Sequence, residues 1–459
     1  MSTLTPTLKE CSAGAAQRRS LRCGVLDGAA FSVMVGCGET YLPAFALAVG
    51  LGEVVAGLIA TLPMLAGASL QLLSPRLIPR VGTHRRWVVL CALVQAVAFA
   101  PLVMAAAVGR VPALAVAAIA TLYWAGGIAA GPAWNTWMAR AVPVALRARY
   151  FATRSRVAQM CVLAGLVGGG FVLQYTASRA MVLGGFMLLF AVAGLARVAS
   201  AGFLFRQGEP GSPIDVEQRV SLLAFLKRLP RRESRLLAYM LAVQVMTYLS
   251  APYFTPYMLG ELKFRYSTYM LLLATAFLAK AIMLPFAGRI AERFGAKPLL
   301  WIGGVGVVPL SALWFFSTSP AYLLLMQVIG GAAWGCYEFA TFLLLFEAIR
   351  DDERTSMLTS FHFMNAGAQA LGAALGGLLL RAGGVNFHAY MLLFVISSVG
   401  RLLTLPLLRT LAEIPIRRVR LTFRTLSVRP SAGSDDRPIL ATLPEPVEKT
   451  VMAPPAAPR

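Results

Sequence analysis

Histidine is nearly absent, with only His84, His362 and His388, and the six cysteines are scattered, with no CxxC pair and none at metal-ligand spacing from a histidine. That excludes a His/Cys metal centre, and the cysteines, mostly inside apolar runs, read as small hydrophobes. No nucleophile motif or phosphate-cradling glycine loop occurs, so neither an enzyme nor a cofactor is expected. Acidic residues are also few: 20 Asp and Glu stand against 42 Lys and Arg, a net charge of +22. The excess is mostly arginine placed between apolar runs, which fits a membrane topology signal and makes nucleic acid a poor partner. Charged residues of both signs make up only 14% of the chain, hydrophobic ones 58%, and the mean hydropathy is +0.69. Such a chain is an integral membrane protein whose first partner is the lipid bilayer.

Present instead are twelve runs long enough to cross a bilayer as helices of about 20 residues: 24–47, 53–73, 87–108, 112–138, 157–177, 180–204, 236–258, 267–287, 298–317, 320–346, 356–380 and 387–408. The first follows Arg18, Arg19 and Arg22 but is too long for a signal peptide and lacks a small-x-small cleavage site, so it reads as a spanning helix. Arginines crowd every second loop: Arg76, Arg80, Arg85 and Arg86 after run two, Arg140 to Arg156 after run four, Arg289, Arg293 and Lys297 after run eight. Cytoplasmic loops collect such residues, which predicts that both termini are cytoplasmic. The arginine-over-lysine, Ala/Gly-rich usage suggests a bacterial inner membrane.

These boundaries divide the chain into a cytoplasmic tail (1–23), a six-helix bundle (24–204), a central cytoplasmic segment (205–235), a second six-helix bundle (236–409) and a tail (410–459). In the central segment Val216, Val220 and Leu223 recur at helical spacing, predicting an amphipathic surface helix. The last tail opens with basic IPIRRVRLTFRTLSVR, suited to anionic headgroups, and continues in a composition expected to be disordered.

Four stretches of the second half echo the first in order. PRLIPRVGTHRR (75–86) aligns with GRIAERFGAKP (288–298), setting Arg80 on Arg293 and Gly82 on Gly295. GGIAAGPAW (126–134) aligns with GGAAWGCYE (330–338), and AGLVGGG (164–170) with LGAALGG (371–377). FAVAGLAR (190–197) aligns with FVISSVGR (394–401), setting Arg197 on Arg401. The pattern is a six-plus-six duplication. Over about residues 20 to 410 the chain resembles the major facilitator superfamily (MFS), whose loop between helices two and three, echoed between eight and nine, reads Gly-x-x-x-Asp-Arg-x-Gly. The second copy fits with Gly288, Glu292 for Asp, Arg293 and Gly295; the first has Pro75 for the opening Gly and Pro79 for the acid. The resemblance implies an all-α fold of two six-helix bundles, a pseudo-two-fold axis, and a central cavity lined by helices one, four, seven and ten.

Ionisable groups within hydrocarbon cost about 2.5 to 3.5 kcal/mol each, so each is a functional candidate. Asp27 is read as starting its helix and favoured there by the macrodipole. Arg197 and Arg401, present in both halves, read as structural charges near the cytoplasmic ends, snorkelling or pairing with an acid, and Lys280 as snorkelling too. Glu39 and Glu338 are too deep for that, and differ in depth by roughly 8 Å. They are the candidates for proton or cation coupling. Pro43, four residues beyond Glu39, removes the backbone donor that would meet its carbonyl, so the helix is expected to bend there. Tyr41, Trp124, Trp134, Asn135, Gln244, Tyr248, Trp334 and Tyr337 are the candidate substrate contacts, an aromatic wall with few polar fixers. Pro252 and Pro256 predict kinks in helix seven.

The function expected is secondary active transport of a small molecule by alternating access, proton-coupled, with export of amphipathic compounds favoured by the aromatic wall. Burial favours the neutral form of a carboxylic acid, which lets such a group carry a proton between sides. The alternative is a transport-silent scaffold or sensor using the basic tail for a partner. A monomer is expected.

Overall fold

In lipid every backbone polar group must be satisfied within the protein, which makes apolar runs of this length helical. The computed structural model describes residues 8–209, 231–348 and 354–409, and it is all-α, with no strand among them. Among the described residues twelve spans are long and apolar enough to cross a membrane. They are α1 (Gln17–Ala48), α2 (Glu53–Gln71), α3 (His84–Val108), α4 (Ala113–Met138), α5 (Thr153–Ala177) and α6 (Val182–Arg206), then α7 (Ser234–Glu261), α8 (Tyr266–Ala291), α9 (Ala296–Phe315), α10 (Pro320–Leu344), α11 (Ser360–Ala382) and α12 (Phe387–Arg409). The first six pack mainly among themselves, as do the last six. The central amphipathic stretch around Val216 and the tail from 410 lie outside the described residues.

The duplication reappears as geometry. A Gly36 Cβ would strike the Val162 carbonyl where α1 crosses α5, and a Gly372 Cβ would strike the Val245 carbonyl where α7 crosses α11. Beyond each crossing a 3-10 turn interrupts the helix, Glu39–Tyr41 in α1 and Ala251–Tyr253 in α7. Tyr41 donates to the Leu166 carbonyl at 2.5 Å and Tyr253 to that of Ala373, also at 2.5 Å. Gly82 and Gly295, paired by the repeat, both have positive φ, 91° and 99°, and both end a helix.

Call the end of the molecule with the arginine-rich loops the basic face. At the opposite face hydrogen bonds join the bundles: Tyr390 donates to the Glu53 carboxylate, and the Ser267 backbone N–H to Gln174 Oε1 at 3.3 Å. Tyr41 meets Tyr269 edge-on at 6.2 Å, and Phe186 meets Tyr266 at 6.2 Å, again across the seam. The halves are thus pinned together at that face.

Candidate functional site

Helix α1 breaks where its sequence withdraws support. Gly38 terminates the regular turns, and Leu42 N–H reaches back to the Glu39 carbonyl in a 3-10 pattern, one residue short of Pro43. The bend expected at the carboxylate is present. Glu39 is half-buried there, and Tyr123 of α4, itself 3% exposed, donates to its Oε2 at 2.6 Å. A tyrosine among the apolar residues of α4 looks like core in sequence, and nothing in its spacing reveals this partner.

Nearer the basic face, α1, α3, α4, α5 and α6 enclose a cleft lined by Asp27, Phe31, Ser32, Trp134, Asn135, Arg154, Gln159 and Arg197, among others. Asp27 does not start its helix: regular turns begin at Leu8, so the carboxylate sits deep in the bundle and the macrodipole has no part in holding it. Its Oδ2 receives Arg154 Nη2 at 2.9 Å and its Oδ1 receives Ser200 Oγ at 2.7 Å. Arg197 donates to that same Ser200 Oγ at 2.7 Å, so the hydroxyl relays between arginine and aspartate. Arg154 stacks on Trp134, 4.5 Å from the ring centroid, and Arg197 on Phe31 at 4.9 Å. Arg154 counts as a loop arginine in sequence; the helix beginning at Val144 lifts it into the bundle. Arg197 turns inward to Ser200 and Phe31, with 3% exposure, instead of snorkelling.

The second bundle is wired differently. Lys280 of α8 does not snorkel either; its ammonium meets the Glu338 carboxylate of α10, and both residues are buried. Arg401 is held by neutral oxygens, the Val307 carbonyl at 2.5 Å, Ser311 Oγ and Ser397 Oγ. Helix α7 is interrupted at its prolines: regular turns end at Tyr248, and 3-10 and π turns follow.

Of the expected substrate contacts, Trp134 and Asn135 line the first-bundle cleft. Trp124 packs edge-on to Tyr123 at 5.6 Å. Gln244 and Tyr248 are buried in α7, and Tyr337 is buried between Trp334, 5.4 Å away, and Tyr239, 6.3 Å away. Tyr41 has a position other than the one expected. It is fully buried, clamped over Gly169 and hydrogen-bonded to backbone, which makes it a strut between α1 and α5 in this conformation. In the loop motif Arg80 and Arg293 are exposed.

Two bundles of six helices, pinned at one face and with charges buried inside each, make up the fold. The family model of the Major Facilitator Superfamily matches residues 236–432, in the second half of the chain. Solved structures of the same fold include the nucleoside transporter NupG, at 10% identity and TM-score 0.63, covering 86% of this chain and 98% of that one. An inward-facing bacterial homologue of the iron transporter ferroportin matches at 14% identity and TM-score 0.65, covering 88% and 99%. A D-xylose-proton symporter matches at 15% identity and TM-score 0.61, covering 84% and 96%. No curated protein matches the sequence significantly. The family and these neighbours are transporters, not enzymes.

Proposed function

We propose that this protein is a proton-coupled secondary transporter that moves an amphipathic small molecule by alternating access, as a monomer in a bacterial inner membrane, with the basic face and both termini in the cytoplasm. The observation that carries the reading is Glu39: a half-buried carboxylate at a break in α1 that accepts a hydrogen bond from the Tyr123 phenol. A break supplies backbone freedom where the bundles must rock, and a carboxylic acid there exchanges a proton as its access changes. The seam pinned at the opposite face leaves the cytoplasmic side as the entrance of this state, and opening the other way requires Tyr390 to release Glu53. Glu338 is the second coupling candidate, its proton traded against Lys280. The D-xylose-proton symporter among the neighbours gives a precedent for proton coupling on this fold.

The test is transport in proteoliposomes under an imposed proton gradient. Glu39→Gln is expected to retain substrate exchange while losing gradient-driven accumulation. Accumulation at the wild-type level in that variant would take Glu39 out of the mechanism.

A further inference from the structure

The cleft on the basic side of the first bundle has an open mouth and a cavity volume of about 70 Å3. Its charged lining is unequal, two guanidiniums to one carboxylate. Asp27 is fully engaged, one oxygen by Arg154 and the other by Ser200. Arg197 meets Ser200 through Nη1, while its Nε is buried without a hydrogen-bond partner. A buried guanidinium with an unmet N–H is costly, and a ligand oxygen placed there would gain a charge-assisted hydrogen bond.

We propose that this cleft is the seat of the transported molecule, and that it takes a monoanion: a carboxylate aimed at Arg197, carried on an apolar body. One surplus positive charge calls for one negative charge; a dianion would leave net charge in the low-dielectric bundle. The body is mostly apolar because Val35, Val88, Ala130 and Val162 line the cleft beside the polar Ser32 and Gln159. The rings of Phe31 and Trp134 are already covered by the two arginines, so aromatic stacking is not what selects the ligand. The word "transported" rests on the function proposed above, whereas the binding site does not.

The experiment uses the full-length protein in nanodiscs, with benzoate and hexanoate as probes and benzamide, hexanamide and sulfate as controls. Both carboxylates are expected to raise the unfolding temperature saturably, and the amides and sulfate to leave it unchanged. Arg197→Gln should weaken carboxylate binding by about tenfold or more. Because that buried variant could fail to fold, Asn135→Asp is the second test: it places a negative charge at the half-exposed lining of the cleft. It too should weaken carboxylates, by about tenfold, and spare thermal stability without ligand. Equal shifts from carboxylates and amides, a shift from sulfate, no shift from either carboxylate, or unweakened binding in Asn135→Asp would each overturn the proposal. Flux assays separate the two readings. Carboxylate binding without flux in proteoliposomes keeps the site and removes the transporter, while proton-driven flux of another compound without carboxylate binding does the reverse.

Discussion

Helix α1 is interrupted at Glu39–Tyr41 and helix α7 at Ala251–Tyr253, each just past a glycine-lined crossing and each ending in a tyrosine that ties the break to its neighbour. In the register that lays Tyr41 on Tyr253, Glu39 falls on Ala251 and Asp27 on Tyr239. In the register of the GGIAAGPAW repeat, Trp134 falls on Glu338. The break therefore belongs to the backbone frame of both halves, while its carboxylate belongs to one. Arginine is common to both, yet Arg197 communicates with a carboxylate through Ser200, and Arg401 is satisfied by serines and a carbonyl. Duplication kept the parts that shape helices, and each half acquired its own charges.

The largest asymmetry to break is the Lys280–Glu338 pair. Removing one partner leaves a buried uncompensated charge, for which about 3–5 kcal/mol is typical. Lys280→Met should cost that much in the unfolding of the purified protein, and Lys280→Met with Glu338→Met should recover most of it. A single variant as stable as the parent would mean that the pair is hydrated and that the second half has no buried ion pair to compare.

A smaller contrast lies at the matched positions Asp27 and Tyr239. Asp27→Asn weakens the bond from Arg154, a charge-assisted contact worth about 1.5–3 kcal/mol. Tyr239→Phe removes a buried hydroxyl that has no hydrogen-bond partner, so it should be neutral or stabilising. Thermal unfolding of the two variants measures the difference, and a similar loss in both would show that the register does not separate their roles.

Spans, duplication and the bend at Glu39 were legible because each leaves a local mark: run length, repeated glycines, a proline four residues on. The partners of the charges were not. Asp27, Arg154 and Ser200 lie on α1, α5 and α6, and only packing decides that they meet. Lys280 read as a snorkelling residue because its depth alone allowed it; the acid that holds it inside is 58 residues further along the chain. Tyr41 read as a wall residue from its nearness to Glu39, but the 3-10 turn carries its ring away onto the glycines of α5.

Those glycines supply the finest test of the likeness between the halves. Tyr41 and Tyr253 each cover a glycine pair, Gly169 with Gly170 and Gly376 with Gly377, and each donates to one backbone carbonyl at the same distance. A neutral buried hydrogen bond contributes about 0.5–1.5 kcal/mol, so Tyr41→Phe and Tyr253→Phe should each destabilise by about 1 kcal/mol. Equal losses, read from unfolding of the purified variants, are what a frame retained by duplication requires. If one loss is much larger, that half draws more of its interhelical stability from the break, and the resemblance of the two struts is geometric without being energetic.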